Sequence, residues 1–296
     1  MPHGDAVLPD LSIRQLEYLT AVADHRTFTE AAADVGVSAS ALSQGLAELE
    51  RRLGIELFER EGRRRRLRST ALPVLDHARH VLALTADLAR WRNRLADGIS
   101  GTVQLGMIDV AAVVHFPDVL RTFRVVHPDV DLVLRVQPSS ALVEAVRTGD
   151  VDLAVCVEPL RATDDLEITP LLTEPLGVYA PPGTDQRTRV DDWGPWVLFP
   201  SDSHTRRQVE KALAASGAPV VVAAESHQPD VIREMVRLGI GWTVLPRSQV
   251  DPVADGDLVA GRDIIRRRLV LLQRRRAVHD PVVDLLSQRL RRRPVN

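Results

Sequence analysis

The sequence predicts an α/β protein that opens on a helix-turn-helix with a wing, continues through one long helix and ends in an alternating α/β region. Three observations carry this. Leu42, Leu46, Leu49 and Leu53 recur at intervals of four, three and four, which stacks them on one face of an α-helix. LPVLDHARHVLALTADLARWRNRLAD then runs for more than 20 residues without a glycine. From Gly101 onward, short apolar strands alternate with helical patterns, the signal of a parallel α/β sheet.

The first elements follow in order. IRQLEYLTAVA, from Ile13 to Ala23, sets Leu16, Leu19, Val22 and Ala23 on one side of an amphipathic helix. In TFTEAAADVG, Thr29 is placed to cap a short second helix that Gly36 ends. Ser38 caps the third, VSASALSQGLAELERRLG, whose face opposite the leucines carries Ser40, Ser43, Gln44, Ala47 and Arg51. Two helices joined by so short a turn form a helix-turn-helix or an ordinary helical hairpin. The next segment favours the former: LFEREGRRRRL reads as a β-hairpin about Glu61-Gly62, and its Arg63 to Arg66 suit a minor groove. Between Arg51 and Arg68, eight arginines stand against Glu56, Glu59 and Glu61, a local excess of five positive charges.

Composition sets the wider limits. The 296 residues suffice for two domains, and the net charge of −2 does not itself announce a nucleic-acid partner. No apolar run approaches a membrane span and Met1 to Asp10 lacks the pattern of a signal peptide, so a cytoplasmic location and no membrane partner are expected. The single Cys156 lies in the apolar run DLAVCV and reads as a buried structural thiol.

In the long helix, Pro73 sits near the start, where proline is tolerated, and Gly98 closes the element. Val74, His77, Val81, Leu84, Leu88, Trp91 and Leu95 alternate three and four apart, a coiled-coil seam that predicts dimerisation. His77 and His80 have metal-ligand spacing but no further ligands nearby, so no metal is expected.

Beyond it, TVQLGMI, VDLVLRVQ, DLAVCV, PLGVYAP, WVLFP, VVVAAE, GWTVLP and RRLVLLQ read as strands, with helices between them and at the end. Ligands of open α/β sheets sit at strand carboxyl ends beside helix N-termini. Four such edges are readable: Ile108-Asp109, Pro138 to Ser140, Ser201 to Thr205 and Glu225 to Gln228. SDSH at Ser201 to His204 offers a nucleophile and a base only in sequence order, and catalytic partners must converge in space, so no enzyme is expected.

The stretch IRQLEYLTAVADHRTFTEAAADVGVSASALSQGLAELERRLGIELFER resembles, without a gap, the winged helix-turn-helix of LysR-type transcriptional regulators. The motif residues are Ala31-Ala32, Val37-Ser38, Ala41 to Ser43, Leu49-Glu50 and LFER. The resemblance implies double-stranded promoter DNA as partner, contacted by Ala39, Ser40, Ser43 and Gln44 and by the wing arginines. Alanine at 39, where glutamine is usual, and the small Gly45 and Ala47 leave few side chains to read bases. Phosphate contacts through Arg51, Arg63, Arg64, Arg65 and Arg66 are therefore expected to carry much of the affinity.

The resemblance further implies a DNA-binding domain over 1–69, a linker helix of a homodimer over 70–98 and an effector domain over 99–296. That last domain is similar to type 2 periplasmic binding proteins: lobe I covers about 99–160 and 267–296, lobe II about 161–266. Its crossovers are expected near Glu158 to Arg161 and Arg262 to Arg268. Implied partners are a small-molecule effector and further copies of the chain, as a dimer of dimers, with no cofactor. Effector contact is expected at Asp109, Ser139, Ser140, Thr205, Ser226 and His227. Asp109, where serine or threonine is common, favours an effector bearing an amine or several hydroxyls, while Arg206 and Arg207 are candidates for an acid.

Overall fold

The computed structural model describes residues 9–61, 64–97, 101–160, 164–185, 187–250, 258–275 and 277–292. It divides near Arg90 into two compact units.

The first unit is built from α1 (Ile13–Asp24), α2 (Phe28–Asp34), α3 (Ala39–Leu53), the antiparallel pair β1 (Phe58–Glu61) and β2 (Arg64–Leu67), and the start of α4 (Leu72–Asp97). Side chains satisfy the orphan amides at the helix starts. Ser12 and Gln15 form a reciprocal capping box on α1, and Ser38 accepts from Ala41 N on α3. On α2 the cap is Thr27, paired with Glu30, and not Thr29, which lies inside the helix. The correction follows from the box itself, because Glu30 sits three residues after Thr27. Gly36, at φ 68°, takes the left-handed turn between α2 and α3.

Leu42, Leu46 and Leu49 are fully buried with Leu16, Leu19 and Leu57 in one core. That core extends onto α4, where Leu75 and Ala78 are buried and Val74, Val81 and Leu82 pack partly against it. The expected seam is therefore not purely external: Val74 and Val81 are shared with the chain's own core, whereas Leu88 is 53% exposed.

The second unit holds a mixed six-stranded sheet in the order β4-β3-β5-β10-β6-β9. Its strands are β3 (Gly101–Met107), β4 (Val130–Val136), β5 (Leu153–Val157), β6 (Leu166–Ala180), β9 (Thr243–Pro246) and β10 (Val259–Arg274). Only β3 pairs in parallel fashion, with β4 and β5; β10 and β9 run antiparallel to their neighbours, so the parallel sheet expected from the alternation is only a part of it. The helices are α5 (Pro117–Val126), α6 (Ser139–Thr148), α7 (His204–Ser216), α8 (Pro229–Arg237) and α9 (Pro281–Arg291), with a π-helical turn at Ala111–His115. β7 (Trp196–Leu198) and β8 (Val222–Glu225) pair in parallel, and Val197 N donates to Trp242 O at 2.7 Å to join them to β9.

Two lobes arise because β6 and β10 are long enough to serve two cores. Leu166, Ile168 and Leu172 pack with Leu269 to Leu272 in lobe I. Leu176 and Val178 pack with Trp193, Trp196 and Val209 in lobe II, with Ile264 and Ile265 against them. The first crossing therefore lies inside β6, between Leu172 and Leu176, and not at Glu158 to Arg161; the second lies between Ile265 and Leu269 of β10. Trp193 and Trp242 stack with centroids 5.6 Å apart, and Trp196 meets both edge-on.

Candidate functional site

Two surfaces concentrate chemistry. On the first unit, α3 presents Ala39, Ser40, Gln44, Ala47 and Arg51 exposed and Ser43 half-buried. Gly45 does not belong to this face. A Cβ there would stand 2.6 Å from Tyr18 Cε2, so the glycine lets α1 and α3 approach around the Tyr18 ring. Arg14 lies over the same ring at 5.4 Å.

Arg51 is already engaged. Its Nε and Nη2 meet Glu48 Oε2 and Oε1 at 2.7 and 2.5 Å, and Arg52 Nε meets Glu48 Oε1 at 2.6 Å. Hydrogen bonds from Arg51 and Arg52 hold the Glu48 carboxyl down at about 2. As a phosphate contact, Arg51 thus has to leave a carboxylate first.

The wing is tied to α3 by a residue whose role the sequence did not disclose. Glu50 Oε1 accepts from Leu57 N at 2.8 Å and Phe58 N at 3.3 Å, so the helix side chain caps the chain entering β1. Phe58 packs edge-on to Phe28 at 5.8 Å, and the exposed Arg65 lies over the Phe28 ring at 5.8 Å. Arg66 is exposed, opposite Glu59 across the hairpin. Arg63 and the side chain of Arg64 lie outside the described residues.

In the second unit, a cleft of about 510 Å³ opens where the strand ends meet the starts of α6, α7 and α8. Asp109, Ser139, Thr205 and His227 line it, whereas Ser140 and Ser226 do not. Adjacent helix positions are turned about 100° apart, so with Ser139 inward Ser140 turns away. Ser226 Oγ instead accepts from Gln228 N at 3.1 Å, closing the turn before α8.

Ser139 Oγ accepts from Val157 N at 3.2 Å, and Asp109 Oδ2 from Gln249 Nε2 at 2.8 Å. Gln137, Asp230 and Arg267 also line the cleft and were missed. Arg267 was read only as part of a strand, and nothing in RRLVLLQ marks which arginine turns inward. Arg206 is buried against Phe199 O, Glu210 and Glu225, and Arg207 is exposed away from the cleft, so neither serves as the acid-binding residue expected of them.

Behind the cleft, Glu174 of β6 gathers groups from three partners. Its Oε1 meets Arg267 Nε at 2.6 Å, and its Oε2 meets His115 Nε2 at 2.9 Å and Ser248 Oγ at 2.8 Å. Arg267 Nη1 donates on to Thr205 Oγ1 at 3.0 Å. Burial alone would raise the Glu174 carboxyl; His115, Arg267 and Ser248 outweigh it and hold it at about 2. In the SDSH segment, Ser201 is exposed while His204 is buried, hydrogen-bonded to the Val157 backbone, with Nδ1 unpartnered and its pKa lowered first by burial. That is not a nucleophile-base pair. Among the described residues no group of three or more His, Cys, Asp or Glu converges as a metal site, and no helix is long and apolar enough to cross a membrane.

Comparison with known proteins matches the chain in two parts. Residues 13–72 match the bacterial regulatory helix-turn-helix protein, lysR family, and residues 96–294 match the LysR substrate binding domain. The chain is 31% identical to the transcriptional dual regulator GltC of Bacillus subtilis (strain 168), over 80% of this chain and 81% of that one. It is 28% identical to a probable hydrogen peroxide-inducible genes activator of Streptomyces viridosporus, over 96% of each. The fold of full-length CbnR in complex with its target DNA is similar, with a TM-score of 0.61 at 19% identity, covering 96% of this chain and 100% of that one. A winged helix-turn-helix followed by a two-lobed domain, each matched by its own family model, makes this chain a member of the LysR family, a DNA-binding transcriptional regulator with an effector-binding domain.

Proposed function

We propose that this regulator binds promoter DNA as a homo-oligomer through the exposed face of α3 and the wing, and that a small molecule in the second unit's cleft sets its affinity for that DNA. The carrying observation is the cleft itself: about 510 Å³, lined from four separate loops, with a buried arginine on its wall. Ala39, Ser40, Ser43 and Gln44 approach bases, Arg65 and Arg66 approach phosphates with Arg63 and Arg64, and Asp109, Ser139, Thr205 and His227 meet the effector. Leu84 and Leu88 of α4 supply part of the dimer seam, and the chain acts where its promoter is, in the cytoplasm, without catalysis. The effector shifts the packing of lobes or subunits and thereby the spacing of recognition helices.

A thiol-based peroxide response, of the kind the Streptomyces relative's name would suggest, does not fit this chain. Cys156 is the only cysteine, fully buried, and burial pushes its thiol up to about 12.

Mobility shifts on promoter DNA, with and without candidate metabolites, test the proposal together with calorimetry of the metabolite with and without DNA. Coupling between two sites is reciprocal, so the factor by which effector changes DNA affinity must equal the factor by which DNA changes effector affinity. Unequal factors, or DNA binding indifferent to every ligand that enters the cleft, would sink it.

A further inference from the structure

We propose that the cleft takes a small zwitterion, an ammonium carboxylate of the α-amino acid class; this rests on reading the cleft as the effector site. The argument is one of donors and acceptors. Ser139 Oγ already accepts from Val157 N, and Thr205 Oγ1 from Arg267 Nη1. With an N–H on each oxygen, the hydroxyl protons remain to be given away, and both residues line the cleft. Arg267 is 3% exposed, its Nε taken by Glu174 and its Nη1 by Thr205, which leaves Nη2 as the donor for a ligand. The caps of α7 and α8, Ser203 and Gln228, make no side-chain cap hydrogen bond, so first-turn amides are also open at the cleft. Every one of these groups asks for an acceptor, and a carboxylate supplies several at once.

Asp109 asks the reverse. Its Oδ2 holds Gln249 and its Oδ1 has no partner among the described residues; an ionised carboxylate can only accept. Asp230, also on the lining, is engaged by Arg233 at 2.6 Å. With Asp230 offset by Arg233 and Arg267 by Glu174, Asp109 is the unbalanced charge of the lining, and a purely anionic ligand would meet net negative charge. An ammonium group against Asp109 removes the conflict and fills the unmet acceptor.

Thermal-shift screening of the full-length protein against the standard α-amino acids, followed by calorimetry, tests this. For an amino acid that raises the melting temperature, the matching acid without its amine and the matching amine without its carboxylate are titrated in parallel. Each should bind about tenfold or more weakly. Asp109→Asn should abolish the penalty for the missing amine while leaving the melting temperature of the free protein in place. A deaminated acid that binds the unaltered protein as tightly as the amino acid, or no amino acid that binds, overturns the zwitterion. Val136→Trp, at a cleft position that is 53% exposed, separates this from failure of the site. Amino-acid affinity unchanged by V136W means the cleft is not the site. Amine-free acids that bind and are lost in V136W leave the effector site standing and the zwitterion refuted.

Discussion

Glu174 and Arg267 are register partners on β6 and β10, and their side chains meet at 2.6 Å where those two strands pass from one lobe core to the other. The pair is almost wholly buried, at 5% and 4% side-chain exposure. Removing one member strands the other in low dielectric. Glu174→Gln should cost about 3–5 kcal/mol, read as a fall in denaturation midpoint. A loss near zero would show that water or backbone replaces the carboxylate.

The same carboxyl gives a pH dependence of definite sign. Its folded value of about 2 lies below the ordinary carboxylate value of 4.5, so its contribution is complete above about 4.5 and is lost as pH falls toward 2. Urea titrations across that window should show the wild type losing stability more steeply than E174Q. Parallel curves would contradict the assignment.

Glu50 is expected to act on DNA affinity through the wing. Glu50→Ala frees two amides and should cost about 1–3 kcal/mol of stability together with weaker operator binding. Glu50→Gln keeps an acceptor oxygen and should retain most of both. Operator affinity equal in E50A and wild type would separate the wing's position from this contact.

Gly45→Ala should destabilise the first unit by about 1–3 kcal/mol, although alanine is the better helix former by about 1 kcal/mol, because the new methyl meets the Tyr18 ring. Chemical denaturation of G45A checks this, and a stabilised variant would mean that Tyr18 swings aside without loss.

Salt dependence distinguishes the arginines. Arg66→Ala should lower the slope of log affinity against log salt by about 1, while Arg51→Ala should change it little, since Glu48 holds that guanidinium. A slope unchanged in R66A and reduced in R51A would reverse the roles given to the two residues.

The leucine face of α3 was legible because helical periodicity fixes direction. What it does not fix is the neighbour. Gly45 looked like a position on the reading face until Tyr18 came from α1 to cover it, and Glu50 showed no role until the chain returned past it at Leu57. The first half of β6 went unread: it carries Pro170, which has no N–H to give to a ladder, and in the structure Pro170 sits opposite Val270, at a register shift next to Leu269. The cleft's four loops could be named from strand ends and helix starts. Its arginine could not, because β10 exists as one strand through both lobes only once β6 is beside it.

Three of the chain's four tryptophans are the clustered Trp193, Trp196 and Trp242 of lobe II, and the fourth, Trp91, is on α4. The regulator consequently carries its own optical label. Replacing Trp91 by phenylalanine leaves an emission that comes from lobe II alone, so movement of that lobe becomes visible in unlabelled protein, on DNA or off it.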